Sequence, residues 1–199
     1  MIKELIIATG NKHKVEEISQ ILKDLNIKVI PMSDMASFPK TIEDGATLRE
    51  NAAKKAKEAA VFYNKWVLAD DTGLEVDFLN GEPGVYSARY AGQNCSYEDN
   101  NNKLLNALEG VAQEKRTAKF KCVIAIASPQ AQIYFAEGEI FGIISGVLSG
   151  SNGFGYDPIF FVPEENKTFA QLSAQVKNKI SHRAKALQKA KEIIKKING

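Results

Sequence analysis

Apolar positions change period repeatedly along the chain, and each change marks an element. Leu5-Ile6-Ile7-Ala8 is an unbroken apolar run, the pattern of a buried strand. Thr9-Gly10-Asn11 interrupts it, and Val15, Ile18, Ile21, Leu22 and Leu25 then recur at helical spacing. Ile27-Lys28-Val29-Ile30 predicts a second strand, closed by Pro31, and residues 31–46 read as loop. Thr47 and Glu50 have capping-box spacing, which predicts a helix running to about Tyr63. Trp66-Val67-Leu68-Ala69 predicts a buried strand ending in Asp70-Asp71. A turn at Thr72-Gly73 and an alternating strand, Leu74 to Phe78, are expected to follow. Further along, the pattern predicts a helix near residues 97–108. A hairpin of 118–127 with 132–140 is expected across Ser128-Pro129-Gln130. Residues 142–155 carry eight Gly or Ser and read as loop. Ile159 to Val162 predicts a strand, and Leu187, Ala190, Ile194 and Ile197 mark one face of a last helix, with Ser181 available as its cap.

Strands and helices alternate in the first half and hairpins enter later. The expected fold is α/β: one domain over residues 1–199, with a mixed central β-sheet and flanking helices. Composition agrees: 199 residues with 44% hydrophobic and 25% charged can close a core without staples. No apolar run reaches the length of a membrane span, and the opening Met1-Ile2-Lys3-Glu4 lacks a secretory pattern. Two distant cysteines, Cys95 and Cys122, form no CxxC pair, so a reducing cytoplasm is expected. The net charge of +2 says little, but residues 171–199 hold eight Lys or Arg against the single acid Glu192. Such an end suits a nucleic-acid face, a solvated helix or a polyanionic small molecule.

Five places carry candidate chemistry. In Thr9-Gly10-Asn11-Lys12-His13-Lys14, a glycine turn opens a helix whose N–H groups and Lys14 could cradle phosphate; an ordinary turn capped by Asn11 explains the fragment equally. Lys55 falls on or beside the stripe Leu48, Ala52, Ala56, Ala59, Tyr63, where a lysine must snorkel or meet an anion. Asp70 and Asp71 end a strand, where open α/β sheets place ligands. With Glu43 they are hard oxygen ligands of the kind Mg²⁺ takes. Gly153-Phe154-Gly155-Tyr156-Asp157-Pro158 could lay an aromatic on a base, or be a glycine turn over core aromatics. Lys177 to Arg183 brings Ser181 beside His182, but neighbouring residues do not make a hydrolase triad and no G-x-S-x-G is present.

Six ordered blocks together resemble the inosine triphosphate pyrophosphatase family. They are Thr9–Lys14; Glu50-Asn51-Ala52 with Lys55-Ala56; Ala69-Asp70-Asp71-Thr72-Gly73-Leu74; Pro83 to Tyr90; Phe154–Pro158; and Ser181-His182-Arg183. Thr72 stands where bacterial members often have serine, and Asp44 follows Glu43 where threonine is usual. The resemblance implies an elongated two-lobed fold with a deep cleft, usually a homodimer. It also implies Mg²⁺-dependent hydrolysis of ITP, dITP and XTP to monophosphate and pyrophosphate. It assigns Asp71 as metal ligand and base, and Glu43 as second metal ligand. Thr9, Gly10, Asn11, Lys12, His13, Lys14, Lys55 and Thr72 would hold the substrate. Phe154, Gly155, Tyr156 and Asp157 would frame the base, with Lys177, His182 and Arg183 closing over it. His182 and Arg183 are then the expected donors to the purine 6-oxygen. Neither a membrane nor a nucleic acid is an expected partner. The rival readings are a Maf-like pyrophosphatase with another base choice and a basic nucleic-acid binder.

Overall fold

The computed structural model describes all 199 residues. The chain divides into two compact units: Met1–Asp71, Cys122–Gly138 and His182–Gly199 form the first, and Thr72–Lys121 with Glu139–Ser181 the second.

In the first unit, β1 (Glu4–Ile7) pairs in parallel with β2 (Lys28–Pro31) on one side and with β3 (Trp66–Val76) on the other. Parallel neighbours require crossovers, and the helices α1 (Lys12–Leu22) and α2 (Leu48–Tyr63) supply them. The apolar runs of β1 and β3 follow from burial on both faces. Ile18, Ile21 and Leu22 of α1 and Leu187, Ala190 and Ile194 of α5 (His182–Asn198) close the core over Ile7, Leu68 and Ile124. Thr47 caps α2 by accepting the Glu50 N–H, as the capping-box spacing predicts.

The second unit has its own core, in which Phe120, Phe160 and Phe169 cluster with Leu74, Leu104 and Ile159. It contains β4 (Pro83–Gly84), α3 (Tyr97–Ala107), β7 (Phe160–Val162), β8 (Lys167–Thr168) and α4 (Ala174–Ile180). β5 (Thr117–Ala127) and β6 (Ile133–Ile144) form the expected hairpin, closed where the Ser128 N–H donates to the Gln132 carbonyl. The strand order is β2-β1-β3-β5-β6-β7-β8, with β4 antiparallel on β3 and β7 antiparallel to both β6 and β8. The sheet is therefore mixed, as expected.

One local reading of the sequence fails. Thr72-Gly73 is not a turn, because β3 runs unbroken from Trp66 to Val76. β1 holds its first half, and β4 pairs with Leu74 and Glu75 beyond the supposed turn. Cross-strand bonds override the local turn preference. Ser181 stands directly before α5 with extended backbone, where a cap was expected, and it is also the one-residue break after an unforeseen short helix, α4. α4 is too short for its periodicity to register, and Ser173 caps it by accepting the Val176 N–H.

Candidate active site

Adjacent residues of a strand point to opposite faces, so Asp70 and Asp71 at the middle of β3 serve two different clusters. Asp70 is fully buried. Its Oδ2 lies 2.9 Å from Lys14 Nζ, 3.1 Å from Arg183 Nη2 and 3.3 Å from Arg183 Nε. The other arm of the guanidinium, Nη1, reaches Glu17 Oε2 at 2.6 Å. Burial alone would raise the Asp70 carboxyl, but Lys14, Arg183 and Lys55 together hold it far below the usual carboxylate range. The same carboxylates hold the Arg183 guanidinium charged against its burial. Arg183 thus faces two acids of its own unit, and His182 beside it is buried at the first residue of α5.

Asp71 belongs to the second cluster. Lys55 reaches it from α2, with Nζ 2.8 Å from Asp71 Oδ1 and 3.2 Å from Glu43 Oε2. The lysine on the core-facing stripe therefore has anionic partners. Burial pushes the Asp71 carboxyl up, against the pull of Lys55 and Lys14, and nearby Glu43 adds to the rise. Burial works the same way on Glu43, but Lys55 outweighs it and keeps that carboxyl below its ordinary value. Two neighbouring carboxyls are thus pushed apart in acidity, the arrangement that lets one serve as a base and the other stay a fixed charge.

Glu43 sits on a loop, and α2 fixes that loop. Asn51 Oδ1 accepts the Gly45 N–H at 2.8 Å, and Glu50 Oε2 accepts the Ala46 N–H at 2.7 Å. A side chain on Gly45 would lie 2.7 Å from Asn51 Oδ1 and 2.8 Å from Glu50 Cβ, so only glycine fits. Asn51 is completely buried and its Nδ2 has no partner. Sequence reasoning missed it and Glu17. A polar residue one helical turn before Lys55 on an otherwise apolar stripe was the available signal for Asn51; Glu17, three residues after Lys14, had the matching signal on α1.

At Thr9–Lys14 the structure shows a capped turn. Asn11 Oδ1 accepts the N–H groups of His13 at 3.0 Å and Lys14 at 3.4 Å, while Thr9 Oγ1 accepts that of Asn11. Gly10, Lys12 and His13 are exposed. Beside Thr9, Gly10 and Lys12 opens a cavity of about 670 Å³, walled by Met32, Phe38 and Tyr63 and sized for a small molecule.

The second unit assembles the aromatic loop. Asp157 Oδ2 accepts the Phe154 N–H at 2.9 Å and the Lys177 ammonium at 2.6 Å, and Lys177 Nζ lies 4.8 Å from the centre of the Phe154 ring. Gly153, at φ 75°, lets Asp157 come this close: a Cβ there would sit 2.0 Å from Oδ2. Tyr97 packs on Phe154 at 6.1 Å, leaving a partly exposed ring. Gly155 gives its carbonyl to Asn101 Nδ2. Tyr156 is a core residue whose hydroxyl donates to the Ser87 carbonyl at 2.9 Å. Thr72 is the first residue of this unit.

Buried carboxylates on lysines in one unit and a glycine-set aromatic under a lysine in the other suit phosphate and base chemistry. The Ham1 family model matches residues 5–193. The chain belongs to the Ham1 family. A protein of Desulforamulus reducens named dITP/XTP pyrophosphatase is 52% identical over 98% of this chain and 96% of its own length. One of the same name from Shouchella clausii is 50% identical, with 98% of each chain covered. Among solved structures, a HAM1 protein from Coxiella burnetii superposes with a TM-score of 0.89 at 41% identity over 98% of this chain and 100% of that one. The Staphylococcus aureus Ham1 protein follows at 0.86 and 44%, over 97% and 98%. This Ham1 chain is thus matched along nearly its whole length, and the family expected from the six blocks is the family found.

Proposed function

We propose that this Ham1 protein hydrolyses deaminated purine nucleoside triphosphates, namely ITP, dITP and XTP, to the monophosphate and pyrophosphate. The reading rests on the partly buried Glu43–Lys55–Asp71 set, two carboxylates gripping one cation. Two carboxylates are what Mg²⁺ takes when water and phosphate complete its shell. Glu43 and Asp71 fit as its ligands. When bound, Mg²⁺ neutralises charge on the phosphate oxygens.

Asp71 Oδ takes the proton of the attacking water, and burial makes that carboxylate a stronger base. The water oxygen bonds to the α-phosphorus as the α–β bridging bond breaks, and the bridging oxygen leaves with pyrophosphate. Lys14 and Lys55 turn from their acids to the phosphate oxygens, while Thr9, Gly10, Asn11, Lys12, His13 and Thr72 hold the rest of that group. Phe154, fixed by Asp157, stacks under the base, with Lys177 as a donor to its carbonyls. Arg183 sets Lys14 through their shared partner Asp70, and Tyr156 fixes the aromatic loop from the core. No helix is long and apolar enough to cross a membrane, and two free cysteines suit a reducing cytoplasm. We read the working form as a homodimer, which light scattering tests.

The product test is phosphorus NMR of an ITP digest. Pyrophosphate with IMP supports this reading; orthophosphate with IDP contradicts it. The nucleic-acid reading loses ground because several basic residues of the C-terminal stretch have partners within the chain. Lys177, Arg183 and Lys191 pair with Asp157, Asp70 and Asp24, while Lys189 and Lys195 bond the Glu137 carbonyl and Glu192.

A further inference from the structure

Lys55 occupies a position with a consequence for the order of binding. Its ammonium touches Asp71 Oδ1 at 2.8 Å and Glu43 Oε2 at 3.2 Å, and its side chain is only 14% exposed. The two carboxylates assigned to the metal therefore already share a cation. A divalent ion takes carboxylate oxygens at about 2.0–2.1 Å, so it would sit close to the ammonium on the same two carboxylates, where the two cations repel. Lys54, the next residue, carries the same charge elsewhere, to the exposed Asp44 at 2.7 Å. The loop bearing Glu43 is fastened to α2 by Asn51 and Glu50, so Glu43 stays in reach of Lys55.

We propose that Lys55 is a resident cation that keeps the Glu43–Asp71 pair closed to a divalent ion until an incoming polyphosphate draws the ammonium away. The inference rests on the metal assignment above and adds an order to it. Metal alone binds weakly, and nucleotide and metal are taken up together. Like charges left facing one another without Lys55 attract a divalent ion more strongly, so removing the lysine tightens metal binding even as it impairs turnover. By reciprocity, nucleotide tightens metal and metal tightens nucleotide by the same factor.

The test is a Mn²⁺ titration of the whole protein, followed by the paramagnetic resonance of free Mn²⁺, without nucleotide. Lys55→Met is expected to bind about tenfold more tightly than wild type, within the range of couplings between sites. Lys55→Gln, kept as a second variant against misfolding, should show the same direction. Lys54→Met removes an equal charge from the neighbouring position and should change affinity less than about twofold. With α,β-methylene ITP present, and Mn²⁺ chelation by the analogue alone measured and subtracted, wild-type affinity should rise towards that of Lys55→Met. Equal or weaker binding in both Lys55 variants overturns the proposal, as does tightening by Lys54→Met to the same extent. Absence of Mn²⁺ binding in every protein, with the analogue present, overturns the metal assignment itself.

Discussion

The two aspartates of β3 differ in task because they differ in neighbours. Asp71 must be ionised to take a proton, and its carboxyl is raised by burial. Activity should therefore fall with acid as that carboxyl is protonated, and at a lower pH the more fully Mg²⁺ occupies the site beside it. Asp71→Asn should lower kcat by roughly a hundredfold or more and abolish that acid limb, with the fold intact by circular dichroism. Asp70 has the opposite sign. Its folded value is depressed, so its contribution to stability is complete above about pH 3.9 and is lost as pH falls through and below it. Arg183→Ala leaves part of that buried charge uncompensated and should destabilise the protein by about 3 kcal/mol at pH 7. Urea unfolding at pH 7 and pH 3 checks this: the loss should be smaller at pH 3, and an equal loss at both would mean the ion pair is not its source. The sequence pointed to Asp70, Asp71, Lys14 and Lys55, because charged residues directly behind an apolar run or on an apolar stripe are conspicuous. It could not divide the aspartates between clusters, since their partners come from residues as distant as Arg183.

Whole elements were legible wherever the apolar period was long. α1, α2, α3 and α5 stand close to where spacing and caps put them. β3 was broken in two by the reading because Thr-Gly is a local turn signal, and the pairing that overrules it is contributed by β1 and β4. The clasp between α2 and the Glu43 loop was invisible, because it depends on a side chain meeting a glycine six residues away. It is testable as a unit. Gly45→Ala forces Asn51 or Glu50 to move and should cost about 1–3 kcal/mol while raising the Mg²⁺ needed for half-maximal activity. Asn51→Ala removes the closer of the two clashes, leaving that with Glu50 Cβ, but loses the bond, so the double variant should be less damaged than the two losses summed, a coupling of contacting residues. Thermal melts and Mg²⁺ titrations of all four proteins measure it; additive losses would show that the clasp does not exist.

At the level of the molecule, each unit carries its own apolar core and its own part of the chemistry. The first holds the carboxylates, Lys14, Lys55, His182 and Arg183, and the second holds the Phe154 loop and Lys177. The motif blocks are scattered through both, which is why no single fragment was decisive and the ordered set was. The central claim is selection of a deaminated purine triphosphate. In the proposed reading a base with a 6-carbonyl would meet a donor such as Lys177, whereas the 6-amino group of adenine would present another donor to it. Mispaired buried groups of this kind can reject a substrate by roughly 10⁴-fold. The most direct measurement is kcat/KM for pyrophosphate release from XTP, dITP and ITP against ATP, GTP, CTP and UTP, with Mg²⁺ present and after its removal by chelation. The account predicts the first three far ahead, little difference between ITP and dITP, and no turnover without metal. Comparable rates for ATP, or full activity in chelator, would contradict it.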